Sequence, residues 1–306
     1  MATFVTERMI FIGVSTGGSS IMGLFPRWAE MLGLDAKLEG YDIPIGAPAG
    51  AFRTAVETIA GADDIRGGLV TTHKLAVFRH AGRLFDDFDE NARLCSEVSC
   101  ISKRGGRIVG LAKDPITAAA TLEEMLGGEY WTRSSGDVLC LGAGGAGLAI
   151  TLCLLRWKRP PPRIVVTDLD GGRLAAAREA LSGVHSAAVV EYRSASEGAA
   201  GALLSPLPPG SLVINATGMG KDRPGSPLPS DAKWPSESIA WDLNYRGDLE
   251  FLAQARAAPG VQIFDGWRYF LYGWTAHISE AFDIEIAGST FAELAAAAEP
   301  YRPPAP

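Results

Sequence analysis

The feature that most constrains this chain is an apolar run that ends in a glycine-rich turn and continues into a second apolar stretch. Residues 136–157 read GDVLCLGAGGAGLAITLCLLRW, in which Gly142, Gly144 and Gly147 satisfy the spacing G-x-G-x-x-G. The preceding residues, Val138–Leu141, are apolar throughout, as expected of a strand buried on both faces. A strand, a glycine turn and a helix in this order are typical of a doubly wound parallel sheet.

Each glycine of the turn has a physical reason. The first permits a tight turn, the second lets the backbone approach a pyrophosphate, and the third lets helix and strand pack closely. The helix that follows presents unpaired amides and a partial positive charge. We therefore predict that Gly142, Gly144, Gly145, Ala146 and Gly147 bind the pyrophosphate of a dinucleotide, the alternative being a merely structural turn.

An acidic residue indicates which dinucleotide is bound. Asp168 ends a second apolar strand, about twenty residues beyond Gly147. A carboxylate there can accept hydrogen bonds from both ribose hydroxyls and would repel a 2′-phosphate, and the nearest arginine, Arg173, lies further on in the following helix. The sequence therefore favours NAD over NADP. The alternative is that Asp168 caps a helix, with Asp170 as the competing carboxylate.

Strands and helices alternate along the rest of the chain, which predicts an α/β fold with parallel sheets covered by helices. The expected strands are MIFIGVS, DAKLEGYDIPI and GGLVTTHK before the glycine turn, and PPRIVVTDLD, SAAVVEYRS, SLVINATGMG, SIAWDLNY and VQIFDG after it. The chain, 306 residues long, suffices for two domains. We expect an N-terminal α/β domain at 1–118, a Rossmann-type doubly wound domain at 119–274, and helices within 275–306 that pack back onto the first domain.

Composition argues against several classes of partner. The net charge is −7 and no block of lysines and arginines stands out, which disfavours nucleic acid and anionic membrane surfaces as partners. No apolar run is long enough for a membrane span, and the four cysteines form no C-x-x-C pair, which fits a reduced compartment. We expect a cytoplasmic protein with a small-molecule substrate and no metal site, with a homodimer left open.

A histidine and a lysine stand side by side in VTTHK, at the start of a predicted helix. Lys74 is either a solvated side chain or a group that handles a proton. Oxidation of an alcohol requires a group that takes the hydroxyl proton as hydride leaves, and a lysine can do this if its pKa falls toward neutrality. His73 is interpreted as a helix-start or packing residue.

Several separated segments resemble the shikimate/quinate dehydrogenase family, in register over most of the chain. They are FIGVSTGGSS, VTTHK, GLAKDP, LGAGGAG, VINATGMG, DLNY and DGWRYFLYG. The resemblance implies a substrate domain, a Rossmann-type NAD(P) domain and a cleft between them. It also implies reversible hydride transfer between a nicotinamide and a ring carbon that carries a hydroxyl.

The resemblance also assigns roles to residues. The family's catalytic lysine falls on Lys74 and its partner aspartate on Asp114, which would orient the lysine and the substrate hydroxyl. A loop that passes beneath the nicotinamide falls on Asn215, Ala216 and Thr217. The family's substrate-facing tyrosine falls on Tyr245, for which a structural role at a strand end is the alternative.

The candidate substrate pocket departs from the family pattern. Of two serines that bind the substrate carboxylate, the first falls on Ser19 but the second on Ile21. A threonine partner of that carboxylate is Val70 here, the asparagine that grips a ring hydroxyl is Ser99, and a glutamine is Gly273. Because a buried carboxylate without partners costs several kcal/mol, shikimate itself is not expected in the usual pose.

Other side chains offer ways to rebuild the pocket. A local shift of Ser15, Ser20 or Thr71 would supply hydroxyls. Aromatic side chains of the segment GWRYFLYGW are either core or a surface for a flatter ring, and they are Trp267, Tyr269, Tyr272 and Trp274. We count Tyr272 among the candidate substrate residues, with Ser19, Ser99 and Tyr245.

The expected function is NAD-dependent interconversion of a ring hydroxyl and a ketone on a shikimate-like, quinate-like or other hydroxylated cyclic compound. Two alternatives stay open. One is a folate-type methylene dehydrogenase, which also pairs a lysine with a Rossmann domain. The other is a non-catalytic regulatory protein that binds a dinucleotide or ligand, although retention of Lys74 and Asp114 argues against it.

Overall fold

The structure, a computed structural model, describes residues 6–195, 199–221 and 223–304. Its internal contacts divide the chain into two compact units. The first comprises Met1–Lys113 and Gly273–Arg302, and the second comprises Asp114–Tyr272 and Pro303–Pro306. The sequence places the corresponding boundaries at 118 and 274.

The first unit is built on a mixed sheet. Its elements before the first division are β1 (Glu7–Gly13), α1 (Ser20–Leu32), β2 (Ala36–Asp42), α2 (Ala49–Gly61), β3 (Ile65–Val70), α3 (Lys74–Ala81), β4 (Asp87–Phe88), α4 (Glu90–Cys95), β5 (Cys100–Arg104) and β6 (Arg107–Leu111). The strand order is β2-β1-β3-β5-β6-β4. Strands β1, β2 and β3 are parallel, whereas β5 is antiparallel to both β3 and β6.

The β5–β6 hairpin departs from the parallel sheet that the alternation of strands and helices suggests for this unit. Gly105 and Gly106 form its two-residue turn, with φ angles of 56° and 78°. Glycine adopts such positive angles without steric penalty, which is why it dominates tight hairpins. The sequence signal for this hairpin is the pair of adjacent glycines between two short runs. In the structure these runs pair in register from Cys100 with Leu111 to Arg104 with Arg107.

Strand β1 is buried because its sheet is covered on both faces. Ile10 and Ile12 belong to one apolar cluster with Phe52 of α2. Phe11, which points to the opposite face, packs edge-on against Trp274 at 4.9 Å between ring centroids. Since β1 and β3 are parallel neighbours, the loops that follow them leave the same edge of the sheet.

The second unit is a parallel sheet in the doubly wound order. Its elements are α5 (Asp114–Leu126), α6 (Tyr130–Arg133), β7 (Val138–Leu141), α7 (Gly145–Leu155), β8 (Arg163–Asp168), α8 (Gly171–Leu181), β9 (Val189–Ser194), α9 (Ala200–Leu204), β10 (Leu212–Asn215), β11 (Ile239–Asp242), α10 (Glu250–Ala257) and β12 (Gln262–Phe264). The strand order is β9-β8-β7-β10-β11-β12. The order reverses between β7 and β10, the place where such sheets bind ligands. The predicted α/β class and Rossmann-type unit are confirmed.

Two further helices follow, α11 (Trp267–Phe282) and α12 (Gly288–Ala298). Within the first unit, α12 packs against α1, where the indole Nε1 of Trp28 donates to the carbonyl oxygen of Leu294 at 2.9 Å. Cys95, Cys100, Cys140 and Cys153 are all buried thiols. No helix in the described part of the chain combines the length and apolar character needed to cross a bilayer.

Candidate functional site

The glycine turn lies where the doubly wound sheet reverses its strand order. Gly142 follows β7 with a φ angle of 108°, and a Cβ atom on it would lie 2.7 Å from the carbonyl oxygen of Ala216 in the loop after β10. A Cβ on Gly147 would lie only 1.9 Å from the carbonyl oxygen of Gly142. The turn and the first residues of α7 therefore pack so closely that a side chain at Gly142 or Gly147 would collide with backbone atoms.

Gly144 differs from its neighbours because a Cβ atom on it would meet no atom within 4 Å. It stands at the N-cap position of α7, and no side chain caps this helix end. The first amides of α7 thus face open space with the positive end of the helix dipole behind them. This cradle fits the pyrophosphate of a dinucleotide, which the backbone of Gly144, Gly145 and Ala146 would hold.

Asp168 faces the same turn. Its Oδ2 accepts a hydrogen bond from the amide of Ala143 at 2.8 Å, and its Oδ1 accepts from the amide of Asp170 at 2.9 Å. Asp170, not Asp168, caps α8 by accepting from the amide of Gly172 at 2.8 Å. Arg173 lies nearer than the sequence indicated, with guanidinium nitrogens 3.9 Å from Asp168 and 3.7 Å from Asp170.

The loop after β10 is held by the side chain of Asn215, which is fully buried. The hydroxyl and the amide of Thr217 donate to Asn215 Oδ1 at 2.6 and 3.2 Å. The amide of Ala216 donates to the carbonyl oxygen of Leu141 in β7 at 2.8 Å. Ala216 and Thr217 are half-buried. Of the three predicted residues, Asn215 therefore fixes the conformation of the loop, whereas Ala216 and Thr217 lie on its accessible side.

Sequence reasoning missed Asp242, the last residue of β11. It is fully buried, and it accepts hydrogen bonds from Asn215 Nδ2 at 3.1 Å and from the amide of Asn244 at 2.9 Å. Burial raises the pKa of this carboxyl group to about 7. The signal in the sequence was a charged residue that closes an otherwise apolar strand, in IAWDLNY.

Lys74 is the first residue of α3 and is half-buried. Its amide donates to the carbonyl oxygen of Thr71, and its own carbonyl oxygen accepts from the amide of Val98 at 3.1 Å. His73 beside it is buried, with Nε2 2.7 Å from the carbonyl oxygen of Ile43, and its ring lies 5.3 Å from that of Phe52. His73 is thus a packing residue, as the sequence favoured.

Ser19 lies on the neighbouring loop of the same unit, half-buried before α1. That loop is tied to β2 through Thr16, whose amide and hydroxyl both donate to Asp42 Oδ1, at 2.9 and 2.6 Å. These bonds hold the pKa of Asp42 below its usual value. A Cβ on Gly13 would lie 2.9 Å from Thr71 Cγ2, so the loop of Ser19 and the turn before Lys74 run side by side.

Ser99 is fully buried, and its hydroxyl oxygen accepts from the amide of Lys113 at 2.8 Å. The Lys113 ammonium pairs with Glu280 of α11 at 2.7 Å. Asp114, the next residue, is buried at the start of α5. The serine therefore braces the backbone before α5.

The aromatic residues near the C-terminus are largely core. Trp267 is 1% exposed and stacks on Phe270 at 4.9 Å, and Tyr245 packs against both rings. Trp274 is 5% exposed and packs on β1 of the first unit. The hydroxyl of Tyr272 donates to Glu124 at 2.6 Å. The two tryptophans thus offer no open face to a planar ring.

Comparisons with known proteins identify the family. No family model matches the chain. Shikimate dehydrogenase (NADP(+)) of Pseudarthrobacter chlorophenolicus is 33% identical over 241 residues, which cover 76% of this chain and 76% of the relative. The enzyme of the same name from Methylobacterium radiotolerans is 31% identical over 275 residues, 87% of this chain and 88% of the relative.

A solved structure agrees in fold. Quinate dehydrogenase from Corynebacterium glutamicum in complex with NAD has a TM-score of 0.76 at 19% identity and covers 95% of this chain and 98% of that one. The dinucleotide cradle described above fits the nicotinamide cofactor of such enzymes. By the identity and coverage of its sequence relatives, the chain belongs to the shikimate dehydrogenase family and is a dehydrogenase that uses a nicotinamide dinucleotide.

Proposed function

We propose that this dehydrogenase uses NAD to interconvert a hydroxyl and a ketone on a hydroxylated ring compound other than shikimate. One observation carries the proposal. Ile21 and Val70, at positions where the family resemblance implies carboxylate-binding hydroxyls, are both fully buried apolar side chains. Neither can accept or donate a hydrogen bond, so a carboxylate bound beside them would lose partners that it needs.

The preference for NAD is supported by the surroundings of Asp168. Each carboxylate oxygen accepts one backbone amide and retains a further lone pair for a ribose hydroxyl. The negative charge at the end of β8 disfavours a 2′-phosphate. Arg173, the nearest cation, is shared between Asp168 and Asp170. Because the sequence relatives carry NADP(+) in their names, this preference would set the chain apart from them.

In this proposal the chain's own residues handle the proton. When bound, a nicotinamide dinucleotide accepts or donates the hydride. Lys74 takes the hydroxyl proton in the oxidative direction and returns it in the reductive one, and Asp114 orients the lysine and the hydroxyl. Ser19 and Tyr245 hold the substrate.

Ser99 and Tyr272 are weaker substrate candidates. To bind a substrate, Ser99 would have to exchange its bond from the amide of Lys113, and Tyr272 its bond to Glu124. The folate-type alternative loses support because Trp267 and Trp274 are core side chains. The regulatory alternative loses support because the chain's relatives are dehydrogenases.

The test is a spectrophotometric screen for reduced nucleotide, with NAD and NADP in parallel. The substrates are shikimate, quinate, aminoshikimate, other cyclic polyols and a reduced folate. We expect turnover with NAD on a cyclic polyol that has no carboxylate, and little on shikimate, quinate or aminoshikimate, which all carry one. A strong preference for NADP would overturn the argument from Asp168, and efficient oxidation of shikimate would overturn the argument from Ile21 and Val70.

The proton-transfer role is tested with Lys74→Ala. Turnover should fall by about 10²- to 10⁴-fold, the usual contribution of a general acid or base. Binding of NADH, followed by its fluorescence, should stay within about twofold of the original protein. Lys37→Ala, which removes an exposed lysine from β2, is the matched control and should change neither property. Unchanged turnover in Lys74→Ala would remove the mechanism.

A further inference from the structure

Asp242 is a buried carboxylate that the proton-transfer mechanism does not use. It ends β11 and lies in register with Asn215 at the end of β10. Both of its oxygens face amide donors, Oδ2 the side chain of Asn215 and Oδ1 the backbone of Asn244. No lysine, arginine or histidine within residues 6–195, 199–221 and 223–304 forms an ion pair with it, so these amides are what offsets its burial.

The carboxylate fixes which way the amide of Asn215 points. Oδ1 and Oδ2 of Asp242 each face an N–H group and accept from it, so the nitrogen of Asn215 faces Asp242 and its oxygen faces the other way. That oxygen accepts from the hydroxyl and the amide of Thr217. The hydroxyl of Thr217 in turn accepts from the amide of Met219 at 3.1 Å. The loop conformation is therefore specified from Asp242 outward.

A second branch reaches the same loop. Asn244, whose amide is held by Asp242, donates through Nδ2 to the carbonyl oxygen of Met219 at 2.8 Å. Asn215 Nδ2 donates to that same oxygen at 3.1 Å. The carbonyl oxygen of Met219, at the far end of the loop, thus accepts hydrogen bonds from two asparagines, and Asp242 accepts from both of those asparagines. Networks of this kind in a dry interior hold one conformation more firmly than their single bonds suggest.

A neutral residue of the same size would fill the space with less penalty. Burial raises the pKa of Asp242 to about 7, which shows how unfavourable the charged form is at this place. An asparagine there could also turn its own NH₂ toward Asn215 and let that side chain flip. Retaining an acceptor on both sides therefore serves the orientation of its partners.

We propose that Asp242 is a positioning residue, which sets the loop Asn215–Met219 for the nicotinamide half of the bound dinucleotide. The inference rests on the proposed function and on the family resemblance, which implies that Asn215, Ala216 and Thr217 lie beneath the nicotinamide. Asp242 touches neither cofactor nor substrate. We expect its effect to be larger on the nicotinamide side, because the amides of the pyrophosphate cradle belong to the start of α7, whereas the loop packs against Gly142 at the other end of that turn.

The experiment compares two nucleotides with the full-length chain and Asp242→Asn. NADH carries the nicotinamide, whereas ADP-ribose lacks it and keeps the rest. We expect Asp242→Asn to lower the affinity for NADH by about tenfold or more and the affinity for ADP-ribose by less than about threefold, since only the loop has lost its fixed geometry. If the original protein prefers NADPH, that nucleotide and 2′-phospho-ADP-ribose replace the pair.

The matched control is Asp137→Asn. Asp137 is also buried, but it lies at the opposite end of the same sheet, where Arg163 donates to it at 2.6 Å. We expect this variant to lose thermal stability with both nucleotide affinities within about threefold of the original. If Asp242→Asn does not fold, Asn244→Ala is the second variant. It removes the hydrogen bond from Asn244 to the carbonyl oxygen of Met219 and should show the same selective loss of affinity for NADH.

The outcomes separate the two levels of inference. Wild-type NADH affinity in Asp242→Asn, or equal loss of NADH and ADP-ribose, would overturn the positioning role while leaving the proposed function intact. An original protein that binds neither NADH nor NADPH would overturn both. A selective loss of NADH in Asp242→Asn, absent from Asp137→Asn, supports the role, because general destabilisation would not distinguish the nucleotides.

Discussion

Two glycines of the same turn should respond in opposite ways to one added methyl group. At Gly144 a Cβ atom meets nothing within 4 Å, and the backbone there has a φ angle of −73°, which alanine adopts freely. At Gly147 a Cβ atom would lie 1.9 Å from the carbonyl oxygen of Gly142. The first methyl group enters the open space that we propose for the pyrophosphate, and the second collides with the protein itself.

The geometry sets the expected magnitudes. In Gly144→Ala, the entropy gained from a stiffer unfolded chain and the poorer N-cap nearly cancel, so the free energy of unfolding should change by less than about 1 kcal/mol. The loss of one charge-assisted hydrogen bond to a phosphate should lower the affinity for NADH about 10- to 100-fold. In Gly147→Ala, α7 must shift by roughly 1 Å, and overpacking of this kind costs about 1–3 kcal/mol.

Two measurements on each variant decide the matter, urea unfolding and titration with NADH followed by fluorescence. Gly144→Ala should lose binding and keep stability, whereas Gly147→Ala should lose both. Wild-type NADH affinity in Gly144→Ala would show that the amides of α7 do not hold the pyrophosphate. Wild-type stability in Gly147→Ala would refute the close packing of turn and helix.

Three further predictions concern stability. Because burial raises the pKa of Asp242 to about 7 from 3.8, the folded protein keeps a proton that the unfolded chain has lost, so the free energy of unfolding should fall by up to about 4 kcal/mol between pH 4 and 7. Urea unfolding across that range should show a shallower fall in Asp242→Asn, and an equal slope would refute the assignment. Glu280→Gln, which strips the carboxylate from Lys113, should cost about 2–4 kcal/mol in urea unfolding, whereas Glu30→Gln in an exposed pair should cost less than about 1 kcal/mol; equal costs would contradict the burial argument. Trp28→Phe removes the indole bond to the carbonyl oxygen of Leu294 in α12 and should cost about 0.5–1.5 kcal/mol with NADH binding unchanged; a neutral result would show that the bond adds nothing.

The second unit was predictable because its signals are local. A buried parallel strand must be apolar along its whole length, and a turn that packs under a helix must be glycine, so β7, Gly142 and Gly147 are legible in a single stretch of chain. Asp168 is legible for the same reason, since its place relative to the turn follows from one βαβ unit. Once these strands are recognised, their order in the sheet follows from the doubly wound topology.

The first unit and the buried polar groups were harder to predict because their partners are distant in sequence. In the sequence Ser99 is a candidate substrate residue, and only the fold shows that it accepts from the amide of Lys113. Asp242 reads as an ordinary strand end until Asn215 is seen opposite it. Trp267 and Trp274 fit a pocket or a core equally well from composition, and burial alone separates the two.

The β5–β6 hairpin has a practical consequence. Because β5 runs back from the edge where β3 ends, the exposed turn at Gly105 and Gly106 lies at the far side of the sheet from the loops that carry Ser19 and Lys74. A reporter dye, a peptide tag or a linker to a solid support fits at that turn without approaching those loops. The fold thus provides its own handle for immobilising the enzyme or following it with light.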